Sequence, residues 1–467
     1  MPSIKTDAPR IIIEDFAKLI REKKITKGPK PEKDVINFRA EKRDGHERGV
    51  EYVPVSLLRY RKDNGRIASD VMDYETRNGP LHEEDEKAQK ILQKFLEEKD
   101  PEKTDDLMKS IQHTGQDQAA IITCDGFLIN GNRRKMAMEK LKQLESGGTK
   151  YDFLKVVILP GHGDPGGPPT LREIEELENR YQLQKDGKSE YYGFDRALSI
   201  KRKIDLGYSL KAQLQDDPRY VRATDKEMEQ AMRDIEKDYL KPLECVDRYL
   251  KLFKRDGLYG TISASRVDRE GRWQAFLDYS QTYSKYFQDS EWMMKKGIDE
   301  DEVGGLEDAV FKIIKLRNLH GLKKLHQVMR DLRKLCAYKE CRKELLKISD
   351  DVEPALPEKH CFDDKGNRLS IEKVDDKWAD TNQQTILHHL KKAIDHQERT
   401  QDKETPLSLL RAALQKLNHD SMDVKNIGTA DFAEARRSTS DIRKRAQEIE
   451  TEIYHAQKNF DDLANKK

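Results

Sequence analysis

Two guanidinium groups, Arg133 and Arg134, follow directly on Asn130-Gly131-Asn132 and open the run Lys135 to Leu144. Phe127 to Ile129 reads as a short strand, Asn130-Gly131 as a tight turn, and Arg133 onward as a helix. Such a helix start can hold an anion. Its first backbone N–H groups have no intrahelical acceptor, the helix dipole is positive there, and a glycine lets a ligand come close. The same residues also suit a solvated surface turn, so the chemistry depends on what surrounds them.

The elements expected to position this turn lie on both sides of it. Tyr52-Val53-Pro54-Val55 forms a strand, followed by Ser56-Leu57-Leu58 and the polar Asn64-Gly65-Arg66-Ile67. Ile91, Leu92, Phe95 and Leu96 recur at helical spacing, which predicts a helix over Glu86–Lys99. A shorter helix from Thr104 carries Leu107 and Ile111 on one face and ends at Gly115, a natural C-terminal cap. Ala119 to Thr123 is rich in strand formers, and Asp125-Gly126 is a strong hairpin turn. Leu154 to Leu159, continuous and branched, reads as the best-buried strand of the chain. After the Pro/Gly-rich stretch 160–169, Thr170-Leu171-Arg172-Glu173 is a capping box for a helix that carries Glu178-Asn179.

Taken together, Val53 to Leu58 with Asn64 to Ile67, Leu107 to Gly115, Asp125 to Ala137 and Leu177-Glu178-Asn179 resemble the N-terminal domain of the ParB/sulfiredoxin superfamily. The resemblance covers roughly residues 50–185, with a looser likeness to the helical middle part of ParB up to about residue 258. It implies an α+β nucleotide-binding domain, and a large all-α region is expected to follow it. It implies phosphate contacts at Arg66, Asn130, Gly131, Asn132, Arg133 and Arg134, and Mg²⁺ held by Glu178 and Asn179 beside a nucleoside triphosphate, CTP or ATP. Oxygen ligands and substrate phosphates are what Mg²⁺ takes. On the residues alone, Glu178-Asn179 reads as a solvent-facing helix turn.

Departures from the family pattern narrow the chemistry. Sulfiredoxin has its catalytic cysteine directly after the turn glycine, where this chain has Asn132, which argues against sulfinic-acid reduction. CTP-hydrolysing ParB proteins have Glu there, so hydrolysis is in doubt. An Arg expected three residues after the Asn is replaced by Gln182, so the base preference does not carry over. Two function classes follow. One is a nucleotide-gated, DNA-associated protein, compatible with a homodimer, in a partition, transcription-control or phage-defence role. The other is an ATPase, nuclease or small-molecule kinase in which Glu178, Asp125 or Asp117 serves as metal ligand or general base.

The rest of the chain reads as helical. Phe194, Ala197, Leu198 and Ile204 mark a helix ended by Gly207, followed by a short one over 208–215. Thr224-Asp225-Lys226-Glu227 caps a third, and Pro242 is expected to start a fourth. This order is compatible with a helix-turn-helix, although 215–223 is long for its turn. Trp273, Phe276, Tyr279, Tyr283, Tyr286 and Phe287 form an aromatic stripe that fits a core better than a base-stacking platform. His388-His389 and His360-Cys361 are adjacent pairs that diverge on a helix and chelate poorly. The expected divisions are an extension over 1–50, a nucleotide-binding domain over 51–187, helical domains over 188–260 and 261–348, a polar linker over 349–380 and a helical region over 381–467.

With 467 residues, several cores can be buried. The 88 basic and 87 acidic residues leave a net charge of +1, which excludes a globally basic nucleic-acid binder and leaves only local basic surfaces. Five scattered cysteines suit a reducing cytoplasm better than a disulfide framework. No stretch suits a signal peptide or a membrane span, and no fixed-period repeat emerges.

Overall fold

The computed structural model describes residues 9–10, 12–22, 32–39, 47–99, 101–145, 149–183, 193–220, 222–262 and 266–464. The expected boundary at 187/188 and much of the charged stretch 21–48 lie outside them. Two compact units are present, Met1–Ile394 and Asp395–Lys467.

The first unit begins with a five-stranded sheet. Its strands are β1 (Lys33–Val35), β2 (Glu47–Pro54), β3 (Ala120–Ile122), β4 (Leu128–Asn130) and β5 (Phe153–Ile158), in the order β1-β2-β5-β3-β4. β5 runs antiparallel to β2 and parallel to β3, and β3 turns into β4 through the Asp125-Gly126 hairpin. Leu154 and Val156 of β5 enter a core shared with Leu92, Ile111, Met136 and Leu141. On the opposite side, Val157 and Leu159 pack with Ile36, Phe38, Ile174 and Leu177. Both faces are covered, which is why the strand reads as an apolar run broken only by Lys155.

The helices Glu86–Lys99, Pro101–Thr114 and Leu171–Leu183 fall where their patterns predict. Pro101 opens its helix instead of merely ending the one before, since the first helical position needs no N–H donor. Thr104, expected at the start, is inside and buried. Gly115 closes the turn at φ +80°, its N–H donating to Ile111 O. Both capping boxes form, Thr170 with Glu173 and Thr224 with Glu227. A strand, β1, occupies part of the stretch expected to be loop.

Beyond residue 193 the unit is helical and differs from expectation in three places. Asp225–Ile235 does not stop before Pro242. It passes through a π-turn over Glu236–Leu240 into Lys241–Leu252. Proline has no N–H and its ring crowds the carbonyl four residues back, and the wider turn relieves both. The expected boundary at 260/261 separates no cores, because Tyr249 packs edge-on against Phe276 and Phe311 at centroid distances of 5.2 and 5.8 Å. The aromatic stripe is indeed core, with Trp273, Phe276, Tyr279 and Phe287 all buried. The polar linker is shorter than 349–380: a helix starts at Ile371, and Trp378 is buried with Nε1 donating to Glu353 O at 2.8 Å. That helix runs to Leu417 with Pro406 inside it, where a new helix was expected at Thr405-Pro406.

Lys315 is buried in this helical core. Its Nζ donates to Pro354 O at 2.9 Å and lies 4.2 and 4.4 Å from the ring centroids of Phe253 and Trp378. Burial lowers its pKa to about 7, although Asp375 at 3.7 Å pulls the other way. Between pH 7 and the ordinary lysine value near 10.5, the unfolded chain therefore binds more protons at this site than the folded one. The site's contribution to stability rises with pH across that window and is flat below it. Lys315→Met is predicted to remove this rise: in urea titrations from pH 7 to 10, wild type gains stability relative to the variant. Parallel curves would contradict the assignment.

Candidate functional site

The Gly131 turn forms as expected, and its geometry has two causes. Gly131 has φ +106°, a left-handed conformation, at the N-cap of the helix Asn132–Leu144. A Cβ here would also lie 2.5 Å from Ala120 Cβ on β3. Glycine is thus required by packing against the sheet as well as by the turn, and ligand approach is not its only explanation. With glycine at the cap position, no side chain there accepts from the first helical turn, and the first intrahelical bond is Lys135 N–H to Gly131 O at 3.0 Å. Asn132 Oδ1 is buried without a hydrogen-bond partner in the structure.

The two arginines differ. Arg134 folds back onto the residues that lead into β3, Nη1 donating to Ala119 O at 3.2 Å and Nη2 to Gln118 Oε1 at 3.1 Å. Burial lowers its pKa, while Asp34 and the Tyr181 phenol oppose that shift. Tyr181 is in turn pushed up to about 12 by burial and by Asp34, with Arg134 opposing. Arg134 is therefore partly structural, and both arginines are half-exposed. Asn130 ends β4 opposite Ile121, also half-exposed.

The helix Leu171–Leu183 packs across β4, so the structure brings Tyr181, three residues beyond Glu178, beside Arg134. The Glu178-Asn179 pair itself points into a buried ionic network. Arg61 Nη2 donates to Glu178 Oε2 at 2.8 Å and to Glu175 Oε1 at 3.0 Å, and Gly65 N–H donates to Glu178 Oε1 at 3.3 Å. Asn179 Oδ1 accepts from Lys203 Nζ at 3.0 Å, and its Nδ2 donates to Gln213 O at 3.1 Å. Arg202 joins Glu175 at 3.3 Å and Asp63 at 2.7 Å. Burial lowers the Lys203 pKa against the pull of Glu175 and Glu178. Burial works to raise Asp63, but Arg202, Arg10, Arg61 and Lys62 hold it at about 2.

A divalent cation does not fit this arrangement. Both Glu178 oxygens and the Asn179 oxygen already accept from protein donors, and two of those donors are buried cations. Among the described residues, no group of three or more His, Cys, Asp or Glu side chains is placed to hold a metal. The metal role inferred for Glu178 and Asn179 thus lacks geometric support. Arg66 sits on the short turn Gly65–Ile67, where Asn64 Oδ1 accepts its backbone N–H at 3.0 Å, at the same corner as Glu178.

The other acidic candidates are no better placed for catalysis. Asp125 is fully buried, accepting from Thr123 Oγ1 and from the Ile12 and Ile13 N–H groups at 2.8 and 3.4 Å, which fixes the N-terminal helix Glu14–Arg21 on the hairpin. Asp117 is exposed. His389 is largely buried against Glu344 at 2.8 Å. Sequence reasoning did not find Arg61, Lys203 or Glu175. Their only signal is that Glu175 and Glu178 stand three apart on one helix face, able to share a cation.

Comparison with protein-family models, curated proteins and solved structures gives no match. Glu178→Ala is predicted to lower the unfolding free energy by about 3–5 kcal/mol, because it strips a buried guanidinium of one of its carboxylates. The loss should be equal in EDTA and in Mg²⁺. A loss seen only with Mg²⁺ present would restore the metal-ligand role.

Proposed function

We propose that this chain is a ParB/sulfiredoxin-like protein that binds the phosphates of a nucleoside triphosphate at the start of the helix Asn132–Leu144. The observation that carries the reading is the first turn of that helix. It follows a left-handed glycine with no cap side chain, and it carries the half-exposed Arg133. Backbone N–H groups there take anions, and a guanidinium adds charge-assisted bonds in a fork that matches phosphate. Mg²⁺, when bound, would come with the triphosphate and its waters and would screen phosphate charge. Glu178 and Asn179 are committed elsewhere.

Association with DNA, the second part of the reading, draws on the small helical cluster in which Ile200, Leu210, Leu214, Met228 and Ala231 pack together. The helix Asp225–Ile235 is a poor choice for entering a groove. Its exposed side chains include Asp225, Glu227, Glu229 and Asp234 against Lys226 and Arg233, an acid excess that phosphates repel. DNA contact would have to come from another surface of the helical region. Hydrolysis of the nucleotide is not part of this proposal, since none of Glu178, Asp125 or Asp117 is placed to activate water.

Thermal denaturation with ATP, CTP, GTP and UTP tests the proposal. At a hundred times its dissociation constant, the bound nucleotide should stabilise the protein by about 2.7 kcal/mol. Arg133→Ala should remove that stabilisation while the ligand-free variant still unfolds in one cooperative transition. No stabilisation by any of the four, or an equal response in the variant, would overturn the reading.

A further inference from the structure

We infer that the C-terminal unit associates with a second copy of this chain as a parallel coiled coil along the helix Phe432–Ala464. This helix has 33 residues, about 50 Å at 1.5 Å per residue. No hydrophobic residue described in the unit is buried. Isolated helices draw little stability from propensity alone, and most helices in proteins are held by packing of an apolar face. Here that face is present and uncovered.

The face follows the heptad pattern. Steps of three and four alternate from Phe432 onward, placing Phe432, Thr439, Ala446 and Ile453 at one core position (a), and Ala435, Ile442, Ile449 and Ala456 at the other (d). Phe432, Ile442 and Ile453 are 47%, 48% and 51% exposed. The leucines of the preceding helix do not cover them, since Leu407, Leu410, Leu414 and Leu417 are themselves exposed. The seven-residue period escapes a search for longer repeats because alanines and a threonine interrupt its large side chains.

Charge at the flanking positions selects the occupant. In a parallel, in-register pair, each residue just before position a faces the residue five further along the other copy. Asp431 then meets Arg436 of the second copy, and Arg445 meets Glu450 of the second copy, both opposite in sign. Ser438 with Arg443, and Glu452 with Gln457, each bring one charge only, so no like charges meet. Within one chain Arg445 reaches only the exposed Glu448 and Glu452, at 3.0 and 3.5 Å, and such surface pairs yield readily to a partner. Two opposite-charge pairs and no like-charge pair fit a second copy better than an unrelated helix. The inference rests on neither nucleotide nor metal.

Light scattering coupled to size exclusion of the full chain should give twice the chain mass. Ile449→Glu, which places a charge in the seam, should give the monomer mass, while the thermal transition of the first unit stays in place. Arg445→Glu sets like charges against each other and should weaken the dimer about tenfold. Arg445→Glu combined with Glu450→Arg should restore it. A monomeric wild type, or a dimer indifferent to Ile449→Glu, would overturn the inference. Failure of the double exchange to rescue would overturn the parallel register.

Discussion

The interaction on which most of the first unit depends is the Arg61 guanidinium held between Glu175 and Glu178. All three side chains are almost fully buried. A charge taken out of water at such depth costs several kcal/mol unless close opposite charges and hydrogen bonds replace its hydration. Those replacements fix two things. The strand-to-helix corner at residues 61–65 is tied to the helix Leu171–Leu183, and that helix, through Arg202 and Lys203, to Gly193–Asp205. The α+β part and the start of the helical part are therefore joined by charge as well as by packing.

The same network decides what the neighbouring site can do. A carboxylate and an amide on consecutive helical residues are a reasonable pair of Mg²⁺ ligands in the abstract. Here Arg61 and Lys203 stand where a cation would be needed and supply its charge from within the chain. What remains for a ligand is the other end of the corner, the start of the Asn132 helix, where positive charge comes from the peptide dipoles and Arg133. Arg134, which reads from sequence as the equal of Arg133, donates to Gln118 and Ala119 at the entry to β3.

Local order was legible where one residue type answers one local requirement. Gly115 closes a helix, Thr170 and Thr224 open helices with Glu173 and Glu227, Asp125-Gly126 turns a hairpin, and the apolar run 154–159 is a strand covered on both faces. Partner choice over long separation was not legible. Nothing near Glu178 in sequence tells whether its partner is a metal or Arg61, 117 residues earlier. Proline positions misled in the same way. Pro242 and Pro406 look like helix boundaries locally, yet one follows a π-turn and the other lies inside a long helix. A shared core, visible only in three dimensions, runs across the divisions drawn at residues 260 and 380.

The most direct test is calorimetric titration of wild-type protein with inorganic triphosphate, first in EDTA and then in Mg²⁺. Because the chain supplies its own cations at Glu178 and Asn179, binding should persist in EDTA and survive Glu178→Gln as long as the fold does. Binding that appears only with Mg²⁺ and vanishes in Glu178→Gln would contradict this account.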